Sequence, residues 1–233
     1  MAVLAHTHQE KHLKSSAFIS DIVIGMSDGL TVPFALAAGL SGAVQNNGII
    51  ITAGLAEIVA GCIAMGLGGY LAGKTEQEHY QSEKLREYNE IENFRAEEIQ
   101  EVKEIFAEYG IDEQGQTVLA NQLAKDKTKW VDFMMKFELG LEEPDINRAR
   151  NSALTIGLAY CVGGLLPLSA YFLTTEPHNG LLLSAVITTF CLFIFGYFKS
   201  KVTGQPPLKG AVKVTAIGLI AAAAAFTIAR LIS

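Results

Sequence analysis

Four stretches of this chain carry almost no charge, and their lengths decide which solvent they require. No Asp, Glu, Lys or Arg occurs from Gly29 to Ala56 or from Ile58 to Gly73, so Glu57 stands alone between two apolar runs. Only Glu176 is charged between Asn151 and Phe198, and nothing is charged from Val214 to Ala229. A helix needs ~20 mostly apolar residues to cross ~30 Å of hydrocarbon. The runs therefore predict five spans, at about 18–43, 48–73, 152–173, 181–198 and 208–231. The expected fold class is all-α: a polytopic membrane protein with five transmembrane helices and a cytosolic three-helix insert.

That insert holds all of the net acidity. Lys74 to Arg150 contains 11 Lys+Arg and 19 Asp+Glu, a balance of −8, against −6 for the whole chain. A nucleic-acid partner is excluded on this ground, since phosphate binding needs a basic surface. The predicted organisation is a cytosolic N-terminal tail (1–17), transmembrane helices 1–2 (18–73), a cytosolic helical domain (74–150) and transmembrane helices 3–5 (151–233). Basic residues near span ends face the cytosol. Lys11 and Lys14 precede the first span, and Lys199, Lys201, Lys209 and Lys213 surround the last link. The N-terminus, the insert and that link are thus expected on the cytosolic side. The tail lacks the apolar core and cleavage site of a secretory signal, so the first span is expected to be retained. Cys62, Cys161 and Cys191 each lie inside an apolar run, as packing thiols do, with no metal-finger spacing.

Within the insert, residues 75–109 lack Pro and Gly and read as one helix continuing span two, stopped by Gly110. Weaker helices follow at about 116–125 and 129–141, the latter ending before Pro144. On the first helix Glu83, Glu87, Glu90, Glu97, Glu98, Glu101, Glu104 and Glu108 recur at helical spacing. Like charges so placed repel by a few tenths of a kcal/mol per pair, which bound cations relieve. A solvated acidic face is the plain alternative. The last helix adds Met134, Met135 and Glu138. Thioether sulfur is a soft ligand and carboxylate a harder one, so the mixed set points to a divalent transition metal over calcium or magnesium. The methionines also suit a small core with Trp130, Phe133 and Phe137.

Two carboxylates, Asp28 and Glu57, fall inside spans one and two. An intramembrane carboxylate is costly and by default marks an ion path or proton relay. Counting from the cytosolic side at ~1.5 Å per residue sets Asp28 and Met65 at similar depth and Glu57 deeper. Pro33 removes a backbone hydrogen bond from span one. Asp21, on the face of Asp28, is placed to guard the way in. Spans one and two are rich in small residues, including a Gly69/Gly73 pair that permits close helix approach. Five spans are few to enclose a path, so a homodimer with the path at its interface is the economical arrangement.

At these residues the sequence resembles the vacuolar iron transporter family of plants and protists. The resemblance rests on Asp28-Gly29-Leu30-Thr31-Val32-Pro33-Phe34-Ala35, on Ala56-Glu57, on Met65-Gly66-Leu67-Gly68-Gly69-Tyr70-Leu71-Ala72 and on the run from Asp132 to Leu141. It covers nearly the whole chain. It implies a five-span homodimer that exports Fe2+ from the cytosol into the vacuole, or another acidic endomembrane compartment, in exchange for protons. Mn2+, Co2+ and Zn2+ are further cargo it leaves open. The family's ligand pattern E-x2-E-x7-E-x2-E matches Glu87, Glu90, Glu98 and Glu101, and MM-x2-E matches Met134, Met135 and Glu138. Its membrane path matches Asp28, Glu57 and Met65.

An enzyme is not expected. Ferritin-like di-iron sites use Glu-x-x-His motifs, and no histidine follows His79 in the insert. A membrane-anchored metal sensor or buffer would account for the insert but leave Asp28 and Glu57 without a role.

Overall fold

The computed structural model describes residues 16–232; the tail with Lys11 and Lys14 lies outside the described residues. All regular structure there is helical, in eight elements: α1 (Ser16–Ala43), α2 (Asn47–Asn93), α3 (Arg95–Glu108), α4 (Glu113–Leu123), α5 (Lys127–Phe137), α6 (Arg148–Phe172), α7 (Pro177–Val202) and α8 (Pro207–Ile232). Five are long and apolar enough to cross a membrane: α1, α2, α6, α7 and α8. The protein is an all-α polytopic membrane protein. It divides into two compact units, one of residues up to Tyr70 and from Arg150 onward, the other of Leu71–Ala149.

In the first unit α1, α7 and α8 pack on one another, and Phe34, Ala38 and Ala222 are buried together. Helix α6 closes on both α1 and α2. Gly25 and Gly29 on α1 make this approach feasible: a Cβ there would stand 2.3 Å from the Ile156 carbonyl oxygen and 2.4 Å from that of Tyr160. No larger residue fits without separating the helices. Some of the buried polar groups pair across helices, as apolar surroundings favour. The Ser184 hydroxyl donates to the Pro167 carbonyl at 2.8 Å, and the Asn47 amide donates to the Thr174 carbonyl at 2.6 Å. Helix α1 continues through Pro33 without interruption.

The second unit is organised by a buried cluster of Tyr80, Ile91, Val102, Ala120, Trp130, Val131, Met134 and Met135. Asp112 and Asp126 cap α4 and α5, accepting from the backbone N–H of Gly115 at 2.8 Å and of Lys129 at 3.2 Å. Gly110 ends α3 with φ +79°, a conformation L side chains rarely adopt.

One helix expected over 75–109 is in fact two. α2 stops at Asn93, and Phe94 (φ −127°, ψ 36°) is not helical. No Pro or Gly stands there to announce the break. It is a tertiary effect: Arg95, just past it, donates to the Ala124 carbonyl at 2.9 Å and lies 4.9 Å over the Trp130 ring. Ile91 and Val102, eleven residues apart, enter one cluster. A straight helix would hold them ~16 Å apart along its axis.

Candidate metal-binding and transport sites

The break at Phe94 brings glutamates from both sides of it into one electrostatic neighbourhood. Glu87 and Glu90 come from α2, Glu98 and Glu101 from α3, and Glu138 is the residue that closes α5. Glu87 and Glu98 are buried, at 1% and 4% exposure. Burial raises the Glu87 carboxyl to about 7, with Glu138 and Glu90 adding to the rise against the opposing charge of Arg86. Glu98 is raised to about 8, again first by burial and then by Glu101, Glu87, Glu138 and Glu90. Glu101 and Glu138 are pushed in the same direction, by burial first and by other glutamates next. One oxygen on each of Glu87 and Glu98 is buried without a hydrogen-bond partner.

Arg86 partly offsets this charge, reaching Glu83 at 3.0 Å and Glu90 at 3.6 Å. Its long side chain crosses to the acidic face. Met134 and Met135 are fully buried, at 0% and 1%, among the apolar side chains of the cluster. Among the described residues no three His, Cys, Asp or Glu side chains converge into a group that could hold an ion. The seven residues thus lie on three neighbouring helices of one small unit, with the carboxylates in each other's field and short of a closed coordination shell.

In the first unit the intramembrane carboxylates meet at a residue the sequence did not single out. The Tyr160 hydroxyl on α6 donates to Glu57 Oε1, while Glu57 Oε2 is buried with no partner. Tyr160 is itself buried, at 3%, and feels the charge of both Glu57 and Asp28. Its ring rests on Gly61 and its backbone on Gly29. Gly29 packs on Tyr160 while Gly61 and Gly69 pack on Tyr160 and Ser152, so Asp28 stands opposite the stretch of α2 between Gly61 and Met65, with Glu57 about a turn further along. Asp21, expected to guard the way in, is buried at 3%. Nothing in the sequence marked Tyr160, one of 7 tyrosines in the chain. Only the helix opposite gives its hydroxyl a meaning.

The small-residue faces of the first two spans admit close approach by other helices of the same chain. Gly66 and Gly69 face Ala153 and Ser152 of α6, Gly73 faces Ala149, and Gly39 and Gly42 face Ala225 and Phe226 of α8. These contacts lie within one chain.

Comparison with known proteins identifies the family. A model of the VIT family matches residues 19–230. The chain is 52% identical to Vacuolar iron transporter 1 of Arabidopsis thaliana over 225 residues, covering 97% of this chain and 90% of that protein. It is 48% identical to Vacuolar iron transporter 1 of Oryza sativa subsp. japonica, over 97% of this chain and 89% of the relative. Protein CCC1 of Saccharomyces cerevisiae is 38% identical, over 92% and 69%. With its five spans, its helical insert and a match along nearly its whole length, the chain belongs to the VIT family.

Proposed function

We propose that this protein carries ferrous iron across an acidic endomembrane, from the cytosol into the vacuole, in exchange for protons. The relatives at about half identity are named vacuolar iron transporters, and the chain supplies groups suited to the task. The observation that carries the reading is the pair of buried, partnerless carboxylate oxygens on Glu87 and Glu98 within a field of three further glutamates. Such oxygens are satisfied either by a proton or by a cation. Glu87, Glu90, Glu98, Glu101 and Glu138 would collect the ion on the cytosolic side. Met134 and Met135 would supply soft ligands that favour Fe2+, and Mn2+, Co2+ or Zn2+ after it, over Mg2+ or Ca2+. Their burial requires a small side-chain rearrangement before sulfur reaches metal.

Asp28, Glu57 and Met65 would form the membrane path, with Tyr160 holding Glu57 in place. A carboxylate must lose its proton to ligate metal. Metal arriving from the cytosol therefore displaces a proton, and an acidic lumen returns one and releases the metal. Competition for one group thus couples the two flows. The N-terminus and the Leu71–Ala149 unit face the cytosol in this scheme, and the working form is a homodimer.

Uptake of Fe2+ into proteoliposomes tests the proposal. Wild-type flux should rise severalfold with an acidic interior, Asp28→Ala should abolish it, and Glu57→Gln should leave at most a slow leak that ignores the pH gradient. Flux indifferent to a two-unit gradient would exclude antiport. Absence of flux alongside tight binding would favour a sensor or buffer.

A further inference from the structure

At the end of the first unit where α7 turns into α8 there is a cavity of about 380 Å³, lined from three helices. Its charged residues are all basic: Lys199 from the last turn of α7, and Lys209 and Lys213, one turn apart on α8. None of the three has an acidic partner among the described residues. Three uncompensated ammonium groups repel a divalent cation, so this cavity is no part of a metal path. They also repel one another. The first turn of α8 adds N–H groups without intrahelical partners, which favour an anion at the same place.

The remaining walls narrow the ligand further. The Thr31 hydroxyl is already donated to the Ser27 carbonyl at 2.7 Å, and that of Thr203 to the Lys199 carbonyl at 3.0 Å. With their protons committed, these oxygens can only accept. They have nothing to offer a phosphate oxygen, but they suit the hydroxyl groups of a polyol. The Gln205 amide, also in the wall, can both donate and accept. Deeper in, Val214 and Ile217 supply apolar surface one to two turns beyond Lys209. Lysines at the mouth, acceptors on the wall and apolar side chains below fit a phosphorylated polyol that carries a hydrocarbon tail. Basic pockets between helices on the cytosolic side of a membrane hold such headgroups.

We propose that the cavity between α1, α7 and α8 binds an anionic phospholipid with a phosphorylated polyol headgroup, held by Lys199, Lys209 and Lys213. The inference does not depend on which ion is transported.

Native mass spectrometry of the full chain in detergent micelles tests this, with phosphatidylinositol monophosphate and phosphatidylcholine as probes. The phosphorylated lipid should be retained at least tenfold more strongly. A lysine near an anionic headgroup contributes roughly fivefold in affinity, so replacing all three should lose on the order of a hundredfold. Lys199→Gln, Lys209→Gln and Lys213→Gln together should therefore erase the preference, and the three Lys→Arg changes should keep it. Lys201→Gln, on the same turn but outside the cavity, should leave it intact. If the triple Gln variant does not fold, Lys209→Gln and Lys213→Gln singly should each lose about fivefold. Free inositol monophosphate binding as tightly as the lipid would support the headgroup site and assign it a soluble ligand. Equal retention of both lipids by the wild type, or undiminished preference in a folded triple Gln variant, would overturn the proposal.

Discussion

A carboxylate hidden from water with one oxygen unpaired lowers its free energy in one of two ways, by taking a proton or by taking a cation. Glu87, Glu98 and Glu57 are all in that state. The neighbours of each decide which course is open. Glu57 has one oxygen fixed by the Tyr160 hydroxyl. Removing that donor leaves a buried acceptor unsatisfied, at about 1–3 kcal/mol. Tyr160→Phe is therefore expected to cut Fe2+ flux severalfold in proteoliposomes with little change in expression, whereas Tyr197→Phe, far along α7, should not. The methionines pose a sharper question, because both are buried deeply enough to be plain core. Truncation to Ala would remove packing and sulfur together and cost about 2–5 kcal/mol each. Met134→Leu and Met135→Leu separate the two roles, since the volume is nearly conserved. The fold should survive, and Fe2+ binding measured by calorimetry should weaken about tenfold more than Ca2+ binding, a difference of roughly 1.4 kcal/mol. Equal losses for both ions would reduce the methionines to packing.

Among the elements, α3 carries the consequence of the break at Phe94. It presents Glu98 and Glu101 to glutamates from α2 and the end of α5. The carboxyls of Glu87 and Glu98 titrate near 7 and 8 instead of near 4.5. The folded state therefore holds protons that the unfolded chain releases above about pH 4.5. By linkage, stability falls as pH rises through the window from about 4.5 to 8, and the favourable contribution is fully present only below it. Hydrogen exchange, corrected for its intrinsic pH dependence, should show α3 and α5 better protected at pH 5 than at pH 8. Added Mn2+ at pH 8 should restore protection, because metal replaces the lost protons. At pH 7 metal binding should release protons to the buffer, measurable as a buffer-dependent heat. Protection that rose with pH would contradict the burial of these two carboxyls.

On the scale of the whole molecule, α2 is the least buried of the five membrane helices. Its outer face exposes Val59 and Ile63, at 58% and 64%. Because Gly66 and Gly69 are occupied by α6 of the same chain, a homodimer built on α2 would use this outer face. In a background lacking Cys62, Cys161 and Cys191, Val59→Cys or Ile63→Cys should crosslink between protomers in the membrane, and Gly69→Cys should not. The reverse pattern would place the partner elsewhere.

How much of this was legible beforehand differs from element to element. The five spans were readable because crossing a bilayer demands length and apolarity, and both are properties of a segment by itself. The acidic insert and the stop at Gly110 were visible for the same reason, whereas α4 and α5 begin at Glu113 and Lys127, earlier than the expected 116 and 129, because Asp112 and Asp126 cap them, and α5 ends at Phe137 and not at 141. Family membership lay in short strings such as the run from Asp28 to Ala35, which need no fold to be read. Tertiary structure alone decided the break at Phe94, which no Gly or Pro announces and which follows from Arg95 reaching Ala124 and Trp130. It alone gave the Tyr160 hydroxyl a partner. Local sequence fixes what a segment can be, because propensity and hydropathy act within it. Which side chains meet depends on contacts between residues far apart in the chain, here 103 residues for Tyr160 and Glu57, and such distances leave no periodic trace in either segment.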